Sequence, residues 1–321
     1  MKTISIVMCT YNGELYLRQQ LDSLFAQTRP ADEIIVQDDC STDSTPAILA
    51  EYASKHPEMN VSVNGERLGY NRNFIAAVQK ATGDYIALSD QDDVWRKDKL
   101  AVMERNMGEG VSMAFHNSAL FVTTPSETTG LRYNTQRPCT DALFITVKPC
   151  IPGHEMMFRR DAIATVRRLN GLNIMYDYSI ATICANSGRV VYVDDTLVYW
   201  RRHAGAATFA ERKDEKKAAG YAKSLRALFD RNRRLLTKNY FSLWQRLMPV
   251  WDDDCRRVVD HLASGHMVLG GGGIVAASLI SLRHHRSMFP HGGWRGVLRA
   301  AFLPVNFIRD YSVFIIRQQI K

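Results

Sequence analysis

The sequence predicts an α/β fold, a mostly parallel sheet flanked by helices, followed by a basic helical C-terminal region. Short apolar runs of strand length recur through the first two hundred residues, and stretches of helical period lie between them. Charge then divides the chain: residues 1–198 carry 19 Lys+Arg against 24 Asp+Glu, net −5, and residues 199–321 carry 22 against 9, net +13.

In order along the chain, ISIVM (4–8), EIIVQD (33–38), NVSV (60–63), YIALSD (85–90) and VSMAF (111–115) have the β-branched and aromatic content of strands. Leu17, Leu21, Leu24 and Phe25 share one helical face, as do Phe74, Ile75, Val78 and Ala81. Ser41 with Thr42 or Asp43 offers caps for the helix between them. The section 116–203 is less regular, and its runs ALFITV (142–147) and VVYVDD (190–195) are expected to complete the same sheet. AGAATFAERKDEKKAAG (204–220) is small and charged and reads as a boundary, beyond which YAKSLRALFDRNRRLL begins a basic, amphipathic helical region. Two domains are expected, 1–205 and 206–321.

With 321 residues, 46% hydrophobic and 23% charged, the chain is neither disordered nor collagen-like. Its six cysteines form no CxxC pair, which suits a reducing cytoplasm. MKTISIVMCTYN reads as a first strand rather than a secretory signal. The apolar stretch from Met267 to Leu282 is broken by four glycines and is short for a membrane span. A +13 C-terminal part points to an anionic partner: phospholipid, diphosphate or nucleic acid.

The first strand leads into TYNGELYL, so the glycine-rich dinucleotide turn of an oxidoreductase is missing, and GGGG (270–273) follows no suitable unit. Carboxylates follow the later strands instead. EIIVQ ends in Asp38 and Asp39; YIALS ends in Asp90, Gln91, Asp92 and Asp93. Strand carboxyl ends are where an α/β sheet gathers its ligands. Extended geometry past the strand aims Asp90 and Asp92 to one side, where both could reach a hard cation such as Mg²⁺ or Mn²⁺. On the residues alone, a solvated acidic turn capping a helix is the competing reading.

SIVMCTYNG (5–13), VQDDCSTDST (36–45), LGYNRNFIAAV (68–78), TGDYIALSDQDDVW (82–95) and KL (99–100) together resemble glycosyltransferase family 2, with the GT-A fold. SDQDDVW is similar to the bacterial rhamnosyltransferase-like branch. The resemblance covers about the first 205 residues and implies a nucleotide-sugar half near 1–110 and an acceptor half near 111–205. It implies that Thr10 and Tyr11 line the nucleotide pocket, that Asp39 accepts from the ring N–H of the base, and that Arg72 and Asn73 help hold the nucleotide. A carboxylate opposite the N3–H of uracil or thymine is left unpaired by cytosine. Asp90 and Asp92 would hold Mg²⁺ or Mn²⁺.

PGHEMMFRRD (152–161) resembles the acceptor-side segment, with His154 at most a lining residue. MYDYSIATICANSG (175–188) resembles the helix that supplies the catalytic acid residue, which makes Asp177 the candidate base, although Tyr176 and Ser179 stand where relatives often have His and Trp. LVYWRRHAGAAT (197–208) resembles the YRxH motif through Trp200, Arg201 and His203. His203 would complete the metal shell as neutral imidazole or bind diphosphate as imidazolium. The implied reaction is inverting transfer from a nucleotide-diphosphate sugar, dTDP- or UDP-linked, to a hydroxyl of a lipid-linked acceptor.

The C-terminal region interleaves arginines with Trp244, Trp251, Trp294, Phe302, Phe307 and Tyr311. It fits either an interfacial helix on anionic lipid or helices that associate with each other or with the catalytic domain. The membrane reading puts Gly292–Lys321 in the inner face of the cell membrane, with Trp294, Phe302, Phe307 and Phe314 toward lipid. No zinc, RRM or helix-turn-helix signature accompanies the arginines, so nucleic acid is not expected.

Overall fold

The structure is a computed structural model, and it describes residues 2–133, 138–148, 150–205, 229–264 and 273–308. Strands β1 (Ile4–Thr10), β2 (Glu33–Asp38), β3 (Met59–Val63) and β4 (Tyr85–Ser89) alternate with helices α1 (Leu17–Phe25), α2 (Thr45–Lys55) and α3 (Tyr70–Val78). Then come β5 (Val94–Trp95), α4 (Lys99–Asn106), β6 (Val111–Phe121), β7 (Thr128–Leu131), α5 (Ala142–Val147), β8 (Met156–Arg159), α6 (Ile163–Val166), α7 (Tyr176–Ala185) and β9 (Arg189–Arg201). The basic region supplies α8 (Arg231–Leu247), α9 (Asp253–Ala263), α10 (Gly273–Arg283), α11 (His285–Met288) and α12 (Gly293–Ala301).

The sheet runs β3-β2-β1-β4-β8-β6-β9-β5, with β7 on β6. β3, β2, β1 and β4 are parallel, β8 is antiparallel to both β4 and β6, and β9 returns parallel to β6. Every residue of β1 is buried, as expected for a parallel strand covered on both faces. Ile4, Ile6 and Met8 share a core with Leu17, Leu21 and Leu24 of α1 and with Leu100 and Met103 of α4. Burial of each such side chain contributes roughly 1.5–3 kcal/mol. That core anchors the strand ends from which the site loops depart.

The run at 142–147, expected as a strand, is the helix α5. Asp141 caps it by accepting from the Phe144 N–H at 3.1 Å, and Leu143–Val147 are buried. A short, wholly apolar run has no period to distinguish strand from helix, and the cap decides it. The N-cap position of α2 is Ser44, which makes no side-chain cap bond; of the residues expected as caps, Asp43 lies one residue earlier and accepts from Thr45 N at 2.9 Å.

The chain packs as two compact units. The first comprises Met1–Pro138, Ile151–Leu172 and Gly188–Ala210; the second comprises Cys139–Cys150, Asn173–Ser187 and Glu211–Lys321. The first holds the sheet. In the second, α5 and α7 join the C-terminal helices: Tyr178 OH donates to the Thr146 carbonyl, and the Tyr178 ring stacks on Tyr240 at 6.1 Å. Phe307 lies 5.7 and 4.8 Å from the Tyr240 and Phe241 rings and is 1% exposed, so it faces this helical core rather than lipid. Phe314 and Tyr311 lie outside the described residues. No helix among the described residues is long and apolar enough to cross a membrane.

Candidate active site

Three loops leave the carboxyl ends of β1, β2 and β4, and their side chains lace them together. Asn12, at φ 46°, accepts from Thr42 N through Oδ1 at 2.8 Å, while its own N–H donates to Ser41 Oγ at 2.9 Å. Asparagine tolerates that left-handed conformation better than most residues. Gly13 N donates to Thr45 Oγ1 at 2.8 Å, and Glu14 N to Asp43 Oδ2 at 3.1 Å. The TYNG and DDCSTDST motifs are therefore two halves of one hydrogen-bonded surface.

Within it, Thr10 is 2% exposed and donates through Oγ1 to Asp38 Oδ1 at 2.8 Å, so its side chain braces the loop base. Tyr11 has its backbone held by Gln91 and its ring covered by the Arg67 guanidinium, 3.9 Å from the centroid. The Asp39 carboxylate accepts from Leu68 N and Asn64 Nδ2 through Oδ1, both at 2.7 Å, and from Gly69 N through Oδ2 at 2.7 Å. Those donors leave capacity on Oδ2 for one more. Asn73 is 1% exposed; its amide donates to the Gln37 carbonyl at 3.0 Å and accepts from Asn64 at 2.9 Å. It thus supports Asn64, which in turn holds Asp39. Arg72 is partly exposed, 3.8 Å from Glu66.

The loop from β4 to β5 carries the acids from the middle of the sheet to its far edge. Two histidines from distant segments meet it. His203 Nε2 lies 2.8 Å from Asp92 Oδ2, and its ring packs 4.8 Å from that of Tyr16. His154 Nδ1 lies 3.2 Å from Asp90 Oδ2 and 3.9 Å from Asp93 Oδ2. His154 is 2% exposed and Asp93 fully buried. His154 is more than the lining residue the sequence suggested: it sits on a 3-10 turn, Gly153–Glu155, directly before β8, and β8 pairs with the strand that delivers Asp90.

Arg201 fastens the same loop from β9. Its N–H donates to Asp93 Oδ1 at 3.0 Å, its Nε to the Asp92 carbonyl at 2.8 Å, and its guanidinium lies between the Tyr16 and Phe121 rings at 4.4 Å from each. Lys99, buried from the KL motif, donates to the His154 carbonyl at 2.7 Å over the Trp95 ring. Glu155, also buried, accepts from Ser118 Oγ at 2.7 Å and from Tyr133 OH at 3.0 Å. Asp93, Glu155 and Lys99 are the parts of the site to which sequence reasoning gave no role, and His154 was read only as a lining residue.

Electrostatically the loop is short of positive charge. Burial pushes Asp93 up to about 8, with His154 opposing and Asp92 and Asp90 adding to the rise. Burial and then Asp90 raise Asp92 against the lowering effect of His203. Burial alone would depress the His154 imidazole, but Asp93 and Asp90 raise it above its ordinary value. Asp93 Oδ2 is buried without a hydrogen-bond donor, and ligand atoms of Asp90, Asp93 and His154 all lie within 4.8 Å of one another. An orphaned carboxylate oxygen among crowded carboxylates and imidazoles fits a divalent cation, by charge and by donor type.

Asp177 belongs to the second unit, in the first turn of α7, where it accepts from Tyr178 N at 2.7 Å through Oδ1.

The model of glycosyl transferase family 2 matches residues 5–167. The chain belongs to that family. The acidic loop, the loops after β1 and β2 and His154 fall inside the matched segment. Among family 2 relatives, the dTDP-rhamnosyl transferase RfbG of Shigella flexneri is 39% identical over 98 residues, 29% of this chain and 34% of that protein. Staphylococcus aureus TarS, a poly(ribitol-phosphate) beta-N-acetylglucosaminyltransferase, is 36% identical over 107 residues, 31% of this chain and 18% of that one. The solved structure of TarS 1–349 has a TM-score of 0.54 at 15% identity, covering 99% of this chain and 92% of that chain. The mannosyltransferase PcManGT of Pyrobaculum calidifontis, in complex with GDP-Man and Mn²⁺, has a TM-score of 0.51 at 19% identity, covering 100% and 86%. The fold is GT-A, and the chain is a glycosyltransferase.

Proposed function

We propose that this glycosyltransferase moves a sugar from a dTDP- or UDP-linked donor to a hydroxyl of a lipid-linked glycan, in the synthesis of bacterial surface polysaccharide. Rhamnose is the sugar to test first, because RfbG, 39% identical over 98 residues, is a dTDP-rhamnosyl transferase. The reading is carried by the acidic loop: crowded carboxylates met by two histidines, with Asp93 Oδ2 buried and undonated, beside a laced nucleotide surface.

Thr10, Tyr11, Asp39, Arg72 and Asn73 bind or support the nucleotide. Asp39 Oδ2 accepts from the ring N–H of the base, while Leu68, Gly69 and Asn64 keep the carboxylate oriented. Asp90, Asp92 and His203 would hold Mg²⁺ or Mn²⁺, with Asp93 and His154, whose ligand atoms lie within 4.8 Å of that of Asp90, as further candidate ligands. When bound, the cation offsets the negative charge that develops on the departing diphosphate. Asp177 takes the acceptor proton as the acceptor oxygen bonds the anomeric carbon and the bond to phosphate breaks, with inversion. Holding donor and acceptor in line supplies much of the remaining rate. The protein works in the cytoplasm, attached to the inner face of the cell membrane where a lipid-linked acceptor is met.

Incubating the full chain with labelled UDP- and dTDP-sugars, with Mn²⁺, with Mg²⁺ and with EDTA, tests this. Metal-dependent release of nucleoside diphosphate supports the reading. Binding of nucleotide sugar without release or transfer under any of these conditions would instead indicate a non-catalytic nucleotide-binding domain.

A further inference from the structure

Around α12, Trp294, Val297, Leu298 and Ala301 share one face, Arg295 and Arg299 a second, and Gly296 and Ala300 a third. A surface helix ordinarily buries its apolar stripe. Here Gly296 and Ala300 are buried, and Gly296 closes on Phe289 so tightly that an added Cβ would come within 3.0 Å of Phe289 Cβ. The apolar face is left outward: Trp294 is 70% exposed, Val297 38% and Leu298 39%. Helix α10 repeats the arrangement. Its Ile274, Ala277 and Ile280 are buried, whereas Val275 and Leu279, one turn apart, are 49% and 59% exposed. Between residues 273 and 308 the chain carries four arginines, Arg283, Arg286, Arg295 and Arg299, and no carboxylate.

We propose that the outward apolar faces of α10 and α12 dock the protein on an anionic lipid bilayer. Trp294, Val297 and Leu298 enter the boundary between headgroups and acyl chains, and Arg295 and Arg299 meet lipid phosphates alongside. At nine residues, α12 is roughly 13 Å long, suited to lying in the interface and not to crossing it. Arg283 is already paired with Asp254 at 3.0 Å, but the charges on α12 are Arg295 and Arg299 alone, and two copies of that helix face brought together would oppose them, so charge favours lipid over a second copy of the chain. The inference rests on the membrane attachment proposed above, but narrows the contact from residues 292–321 to α12 and adds the outward face of α10.

The test is sedimentation of the full chain with vesicles of phosphatidylcholine alone or mixed equally with phosphatidylglycerol, at low and high salt, with donor hydrolysis measured on the same samples. Replacing Trp294, Val297 and Leu298 together by Gln should lower partitioning on the order of tenfold, including at high salt where charge is screened. The pair Arg295→Gln, Arg299→Gln should lose only the low-salt preference for anionic vesicles. Hydrolysis should persist in both variants, so loss of vesicle binding with hydrolysis intact bears on this surface alone. Absent hydrolysis with normal, Trp294-dependent vesicle binding supports this surface while counting against the donor and cation proposed above. Equal sedimentation of the intact and apolar-substituted chains overturns the proposal. So does an intact chain that ignores vesicles but forms a dimer dissociated by the triple substitution, which would make this a self-association face.

Discussion

Gln91 turns its side-chain amide back onto the Tyr11 backbone, accepting from Tyr11 N at 2.9 Å and donating to the Tyr11 carbonyl at 3.0 Å. The two residues lie 80 positions apart, yet this clasp ties the acidic loop to the loop that leaves β1. Gly13 belongs to the same arrangement, since a Cβ there would fall 2.4 Å from Gln91 Oε1.

Gln91→Leu should therefore weaken donor binding about tenfold, the worth of two partly buried hydrogen bonds, with a smaller effect on turnover. Gly13→Ala should do the same by displacing the Gln91 amide. In the double variant Gly13→Ala, Gln91→Ala the two losses should be less than additive, because the clash is gone. Calorimetric titration of the donor reads all of these, and strict additivity would separate Gly13 from Gln91.

Asp92→Asn keeps shape and removes charge beside His203. Transfer should fall by at least about 100-fold with the fold intact by circular dichroism. Asp93→Asn, deeper in the same loop, should weaken Mn²⁺ binding by roughly 10- to 100-fold. Full activity of Asp92→Asn in the presence of EDTA would remove the cation from the mechanism.

For Asp177→Asn the expected loss is in turnover, roughly 10²- to 10⁴-fold, with donor affinity nearly unchanged. Donor affinity lost at constant turnover per bound donor would show that Asp177 is not the base.

In the C-terminal unit His284 bridges two carboxylates, Nδ1 lying 2.9 Å from Asp141 Oδ2 and Nε2 3.1 Å from Asp254 Oδ2. Burial opposes protonation there, but Asp141 and Asp254 raise the imidazole above its ordinary 6.5. A raised folded-state value means that the stabilisation is complete below about pH 6.5 and fades as pH climbs through the folded value. Melting temperature should thus decline as pH rises above about 6.5 more steeply in the native chain than in His284→Gln. Parallel pH profiles for the two would remove His284 as the source.

Strands β1, β2 and β4 were legible as largely apolar runs closed by a turn, and β3 as the alternating MNVSV. β8 was not: MMFR is four residues long, lies in a less regular section and is defined by its antiparallel neighbours. The acids of the β4–β5 loop could be read from strand-end spacing. His154 could not be tied to Asp90, because their 64-residue separation closes only when β8 inserts between β4 and β6. The Pro-Gly before His154 marks a turn, which is the one local cue to its placement. Phe307 was misassigned to lipid because its helical spacing is equally that of a packing residue, and only its contact with Tyr240 and Phe241 distinguishes the two.

If these loops hold the donor as proposed, the lacing of Asn12, Gly13 and Glu14 to Ser41, Thr42, Asp43 and Thr45, joined by Gln91 on the Tyr11 backbone, sets the unit of inheritance for donor choice. No one of these loops can be exchanged with another enzyme's while its partners stay, since each backbone N–H would lose the side chain that receives it. A chimaera meant to alter the donor must transplant residues 10–14, 38–45 and 91 together. Asn64, Leu68 and Gly69 travel with them, as the cradle of Asp39.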